Sequence, residues 1–109
     1  LYCIGWCYND KSDYGKAVTY LNKAITLDGK YNAALTELGY SYYKQKNYNS
    51  ALENLKKNID LYKSELSYYY AGCCYADMGN KAEAQKMYDA LKAMNSKNAE
   101  TLMAKISKM

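Results

Sequence analysis

Leu35-Thr36-Glu37-Leu38-Gly39-Tyr40-Ser41-Tyr42, followed by Ala51-x3-Leu55, is the stretch whose reading decides the fold of this chain. The same pattern occurs before it as Leu1-x2-Ile4-Gly5-x2-Tyr8 with Ala17-x3-Leu21, and after it as Tyr68-x2-Ala71-Gly72-x2-Tyr75 with Ala84-x3-Tyr88. The register steps are 34 and then 33 residues. A repeat of this period is one supersecondary unit that cannot bury its apolar face alone, so copies stack into a solenoid with a groove.

Between the turn signals, apolar residues recur at three and four, the helical period. The spacing predicts helices over about 1–11 and 14–28, 32–46 and 48–61, 65–78 and 81–94, with a seventh over 98–109. Turns are expected at Ser12-Asp13, Lys46-Asn47 and Gly79-Asn80, where Asp or Asn caps the next helix and Gly79 takes the left-handed stop. Asn80 and Glu83 have the spacing of a capping box. Gly inside a helix costs about 1 kcal/mol relative to Ala, so Gly5, Gly39 and Gly72 imply close approach of a neighbouring helix, with Ala17, Ala51 and Ala84 at the facing crossings. The seventh helix carries Leu102, Ile106 and Met109 on one stripe, which would cover the open face of the last repeat. The expected fold class is therefore all-α: a right-handed α-solenoid of three antiparallel helix pairs (repeats about 1–31, 32–64 and 65–97) plus a C-terminal capping helix (about 98–109), forming one domain.

Composition narrows the function. Half of the 109 residues are hydrophobic, but no run approaches the ~20 needed to span a bilayer. The chain starts without Met and inside a repeat, so it is read as a piece of something longer, in which a removed signal peptide would leave no trace. The net charge is +4, and all 15 basic residues are Lys. Without Arg there is no planar fork for bidentate phosphate or guanine contacts, which argues against a nucleic-acid partner. There is no His, hence no Ser-His or Cys-His nucleophile, and no glycine-rich phosphate loop; no enzyme activity and no cofactor is expected.

The four cysteines fall in two distant pairs. Cys3 and Cys7 belong to the first helix and Cys73 and Cys74 to the fifth, about 20 Å apart at ~10 Å per packed helix layer, too far for one metal site or one disulfide. They are read as small, buried, reduced thiols, which leans the localisation toward a reducing, cytoplasmic compartment, with Cys73 placed as an accessible groove thiol.

The signature large-x2-L-G-x2-Y followed by A-x3-F or Y resembles the tetratricopeptide repeat, and the resemblance covers essentially the whole chain. Gly29, Lys63 and Ser96 stand where the family's repeats end in Pro, and Asn58 and Leu91 stand where a second small residue is usual. The resemblance implies a concave surface lined by the first helices, where ligand peptides lie. Mapped residue by residue, that surface takes Tyr2, Trp6, Asn9 and Asp10 from the first repeat; Ala33, Thr36, Tyr40, Tyr43 and Lys44 from the second; and Leu66, Tyr69, Cys73, Ala76 and Asp77 from the third. The family's co-chaperone members hold a peptide carboxylate with a clamp of Lys, Asn and Arg. Those positions are Tyr2, Trp6, Glu37, Leu66 and Tyr70 here, which excludes that mechanism.

Fifteen tyrosines and no Phe make the aromatic residues ambiguous. Tyr8, Tyr42, Tyr75 and Tyr88 occupy repeat-defining packing positions, and Tyr14 and Tyr48 are placed to staple turns. Trp6, Tyr40, Tyr43 and Tyr69 remain as binding anchors, with Asn9, Asp10, Lys44 and Asp77 at the rim. The expected function is a protein-protein interaction module that binds a peptide or helix of a protein partner in an aromatic groove. The alternative is a structural spacer or self-assembly element acting through its ends, including a homodimer through the uncapped surface around Leu1 and Ile4.

Overall fold

The signature tyrosines end their helices in the same way three times. In the computed structural model, which describes residues 2–30 and 32–108, the amide of Asp13 donates to Tyr8 O (2.8 Å), that of Asn47 to Tyr42 O (2.9 Å) and that of Asn80 to Tyr75 O (2.8 Å). Each bond folds the chain back through a left-handed residue: Ser12 (φ 63°), Lys46 (φ 62°) and Gly79 (φ 79°). This is the Schellman stop, and only at Gly79 does it come without the strain of a Cβ. The next residue then caps the following helix, Asp13 accepting from the Lys16 amide, Asn47 from Ser50 and Asn80 from Glu83. The second half of the expected capping box is not made. The Asn80 amide is already taken by Tyr75, and the Glu83 carboxylate pairs with Lys86 at 3.0 Å.

The described residues form seven helices: α1 (Tyr2–Asp10), α2 (Tyr14–Leu27), α3 (Asn32–Lys44), α4 (Tyr48–Tyr62), α5 (Glu65–Asp77), α6 (Lys81–Ala93) and α7 (Asn98–Ser107). The first, third and fifth end one or two residues earlier than periodicity predicts, because the stop unwinds their last turn. α1 packs on α2, α3 on α4 and α5 on α6, and each pair docks on the next. The odd-numbered helices also touch one another in sequence, α1 on α3, α3 on α5 and α5 on α7, whereas α2, α4 and α6 make no mutual contact among the described residues. A layer in contact inside a splayed outer layer bends the array, with α1, α3, α5 and α7 on its inner side.

The helical glycines mark where two helices meet. A Cβ on Gly5 would lie 2.5 Å from Leu21 Cγ, and one on Gly39 would lie 2.4 Å from Leu55 Cδ2. At Gly72 the obstructing atom, 2.4 Å away, is Leu102 Cδ2 of α7, not a side chain from the third repeat's Tyr88 position. Thus at the third repeat α7 supplies the leucine that α2 and α4 supply in the first two. Leu102, Ile106 and Ala99 are buried, as the apolar stripe requires, while Met109 and Leu1 lie outside the described residues.

Two polar networks tie the inner helices together. Asn9 Nδ2 donates to Glu37 Oε2 (2.9 Å) and to Glu37 O (3.2 Å), and the Ser41 hydroxyl donates to Asn9 Oδ1 (2.6 Å). One repeat on, fully buried Asn58 donates to Asn32 Oδ1 (2.6 Å) and accepts from Ser67 (2.7 Å), whose oxygen lies 3.1 Å from that of Thr36. Satisfied buried amides fix register, since a slip would strand their donors without water. Asn58 therefore uses its unusual place in the repeat to bond, not merely to fill space. Lys63, where the family has Pro, adopts φ 53°, a conformation closed to proline.

Candidate functional site

The inner helices carry most of the sequence-predicted site residues, but they divide into buried and surface groups. Asn9, Thr36 and Cys73 are buried, at 6%, 7% and 4% exposure. The first two belong to the polar networks above, so helix-to-helix contacts occupy Asn9, expected at the rim, and Thr36, expected to face the groove. Cys73 is covered by burial that also pushes its thiol up from the ordinary range, and the expected accessible groove thiol becomes an unreactive core group. Of the other cysteines, Cys74 is placed as expected and Cys3 and Cys7 are not. Cys74 is buried, its thiol pushed up to about 12, whereas Cys3 and Cys7 are exposed. Repeat alignment equates Cys7 with buried Ser41, but α1 packs only on α2 and α3 among the described residues, so its opposite side stays open.

The remaining aromatic candidates are exposed Trp6 and half-buried Tyr40, Tyr43 and Tyr69. Trp6 is 48% exposed and borders a depression of about 190 Å³ with Asn9, Asp10, Glu37, Tyr40 and Tyr70. The Tyr40 and Tyr70 rings lie 5.1 Å apart at a 49° tilt, and Tyr69 follows 5.6 Å from Tyr70. Tyr14, expected to staple a turn, reaches over to meet Tyr40 edge-on at 6.0 Å, and Tyr48 meets Tyr43 at 6.0 Å. Burial, first of all, pushes the Tyr40, Tyr43 and Tyr70 hydroxyls up to about 12, so all three stay neutral donors at ordinary pH. Exposed Lys44 holds its ammonium 5.7 Å from the Tyr40 centroid and 5.9 Å from that of Tyr43. Leu66 is exposed at the start of α5, Ala33 is half-buried, and Ala76 is buried; the side chain of Tyr2 lies outside the described residues.

At the far end the groove is closed by α7. Lys105 Nζ lies 2.8 Å from Asp77 Oδ1, donates to Tyr43 Oη at 2.9 Å, and stands 5.6 Å from the Tyr43 centroid. Burial alone would lower the ammonium's pKa, but Asp77 and Tyr43 together hold it above the ordinary lysine value. No local pattern marks Lys105, because its partners Tyr43 and Asp77 lie on other helices far back in the chain. Glu37 and Tyr70 were considered only for the clamp they lack. Burial pushes the Glu37 carboxyl above its usual value, the Asn9 hydrogen bond opposing in part. Among the described residues no group of three or more His, Cys, Asp or Glu side chains is placed to hold a metal ion, and no helix is long and apolar enough to cross a membrane.

Paired helices at this period, in-phase glycine contacts and a curved inner face define a tetratricopeptide-repeat array. The chain belongs to the family described as anaphase-promoting complex, cyclosome, subunit 3, which matches residues 10–91. Among solved structures it is similar to the first tetratricopeptide domain of Spaghetti (RPAP3) bound to the HSP90 peptide SRMEEVD, at 21% identity and a TM-score of 0.88, covering 98% of this chain and 87% of that one. It is also similar to PcrH in complex with the chaperone binding region of PopD (17% identity, TM-score 0.84, 99% and 84% covered). A third is the type III secretion translocator chaperone SycD of Yersinia enterocolitica, at 17% identity and TM-score 0.84, with 98% and 81% covered. These likenesses show the fold. No curated protein matches the sequence.

Proposed function

We propose that this array is a protein-interaction module whose inner face, built by α1, α3 and α5, receives a peptide or helix from a protein partner. The observation that carries the reading is half-exposed Trp6 beside Tyr40 and Tyr70 at a depression on that face. Large rigid rings with polar tips are the composition of binding hot spots, and an exposed Trp in a concavity is otherwise an unfavourable surface. Trp6, Tyr40 and Tyr69 act as anchors, with Asp10 and Lys44 at the rim and Tyr43 and Asp77 bounding the far end. Two of the similar structures are complexes, one with the HSP90 peptide SRMEEVD and one with the chaperone binding region of PopD, which supports the mode and not the ligand. Tyr70, Glu37 and Leu66 at the positions of a carboxylate clamp leave no cation there, so recognition of a terminal carboxylate by that device does not apply.

The test compares capture from the source cell's lysate by the native chain and by a variant with Ala at Trp6, Tyr40, Tyr43 and Tyr69 whose helicity is checked by circular dichroism. A partner held by the native chain and lost by the folded variant supports groove recognition. Equal capture moves the function elsewhere. A second reading, assembly through the N-terminal end, is favoured by Ile4, 44% exposed, beside Cys3, Cys7 and Tyr8 around a depression of about 270 Å³. Sedimentation equilibrium showing a dimer that Ile4→Glu dissociates would support it.

A further inference from the structure

We propose that the depression between Trp6, Tyr40 and Tyr70 receives a basic side chain, a lysine or arginine of the bound partner; this rests on the groove reading above. Its volume, about 190 Å³, is below the roughly 300 Å³ at which small-molecule sites begin, and fits a subsite for one long side chain. The lining has three aromatic rings and two carboxylates, Asp10 and Glu37, and contains no lysine. Cations bind aromatic faces, best of all Trp, and the attraction grows when the site is partly desolvated. Glu37 is preset for this. Asn9 Nδ2 holds its Oε2 at 2.9 Å, while Oε1 has no hydrogen-bond partner among the described residues. Half-burial disfavours the Glu37 charge, and an incoming cation would offset that penalty.

The chain displays the same chemistry at the other end of the groove. There a carboxylate and a tyrosine, Asp77 and Tyr43, are occupied by Lys105 from α7, whose ammonium bonds both and stands over the ring. At the N-terminal end no lysine stands over Trp6 or Tyr70 among the described residues; the one nearby, Lys44, lies over Tyr40 from outside the depression. The arrangement complements a cation supplied from outside, and it opposes the acidic peptides that a clamp would select.

Trp6 is the chain's only Trp, so its fluorescence reports on this depression directly. The probes are two blocked pentapeptides, four glycines around a central arginine or around its uncharged isostere citrulline. The arginine peptide should saturate the Trp6 emission change at a concentration about tenfold lower than the citrulline peptide. Glu37→Gln, which keeps an acceptor for Asn9, should erase that difference with circular dichroism unchanged, and Asp10→Asn, at an exposed site, should reduce it. General attraction is not an explanation, because the chain's net charge of +4 repels a cationic peptide. The proposal is overturned if the two peptides are indistinguishable, or if the difference survives in both variants. If partner capture still depends on the four groove aromatics in that case, the groove stands and only the basic-residue assignment falls.

Discussion

The two ends of the groove carry equivalent carboxylates, Asp10 in the first repeat and Asp77 in the third, yet one end is closed and the other open. At the C-terminal end Asp77 and Tyr43 are joined by Lys105, Cys73 is buried beneath them, and the charges are satisfied inside the chain. At the N-terminal end Asp10, Glu37, Trp6, Tyr40 and Tyr70 surround a depression that no lysine enters among the described residues. The difference lies in one side chain, Lys105 of α7. Every inner helix is followed by another, but only α7 brings a lysine onto the inner face at a carboxylate and a tyrosine, while the residues between α1, α3 and α5 keep their aromatic and acidic groups without one among the described residues.

Removing the closing helix is the strongest way to break this contrast. Leu102 is fully buried against Gly72, so Leu102→Ala should lower stability by about 2–5 kcal/mol, read by denaturant unfolding. It should also erase the difference between the ends. In the native chain a thiol reagent should modify exposed Cys3 and Cys7 quickly and spare Cys73 and Cys74, whereas in Leu102→Ala Cys73 should also react. Protection of Cys73 in that variant would mean that α7 does not close the groove.

The next effect lies at the open end. Tyr40→Ala should weaken partner binding by about 1–2 kcal/mol while the array stays folded, measured by titration calorimetry once a partner peptide is in hand. Lys105→Ala should cost stability by at most about 1 kcal/mol, because the pair with Asp77 is roughly one-third exposed and screened, and should leave binding at the open end unchanged. Equal losses of binding in both variants would show the groove to be one site.

The smallest effect concerns Glu37. Its folded pKa is raised by burial, so the folded state holds the proton more tightly than the unfolded chain does. Stability associated with this group is therefore present at low pH and lost as pH rises through its titration. Glu37→Gln should then melt slightly higher than the native chain at neutral pH, and the gap should shrink on acidification. A gap that grows toward low pH would refute the burial account and with it the partly desolvated carboxylate at the open end.

Much of this architecture was legible in the residues. Gly5 and Gly39 pointed to close helix contacts because a Cβ there has no room, and Asp13, Asn47 and Asn80 announced caps because their oxygens reach an amide three residues on. The site was less legible. Trp6 and Tyr40 line one depression, but Asn9, read as a rim group, and Thr36, read as groove-facing, are held in inter-helix bonds. A polar residue at a groove-facing position has the same sequence signature whether its partner is a ligand or the next helix.

The sequence by itself determined the repeat, the helix pairs, their stops and the capping stripe, because these depend on local spacing and on steric rules that act within a few residues. Tertiary structure alone decided which inner-face groups are free. That outcome rests on contacts between residues far apart in the chain, Lys105 with Tyr43 and Asp77, Asn9 with Glu37 and Ser41, and Leu102 with Gly72. No local pattern encodes whether a charge is neutralised by a distant helix, since the distance between them is set only when the solenoid closes.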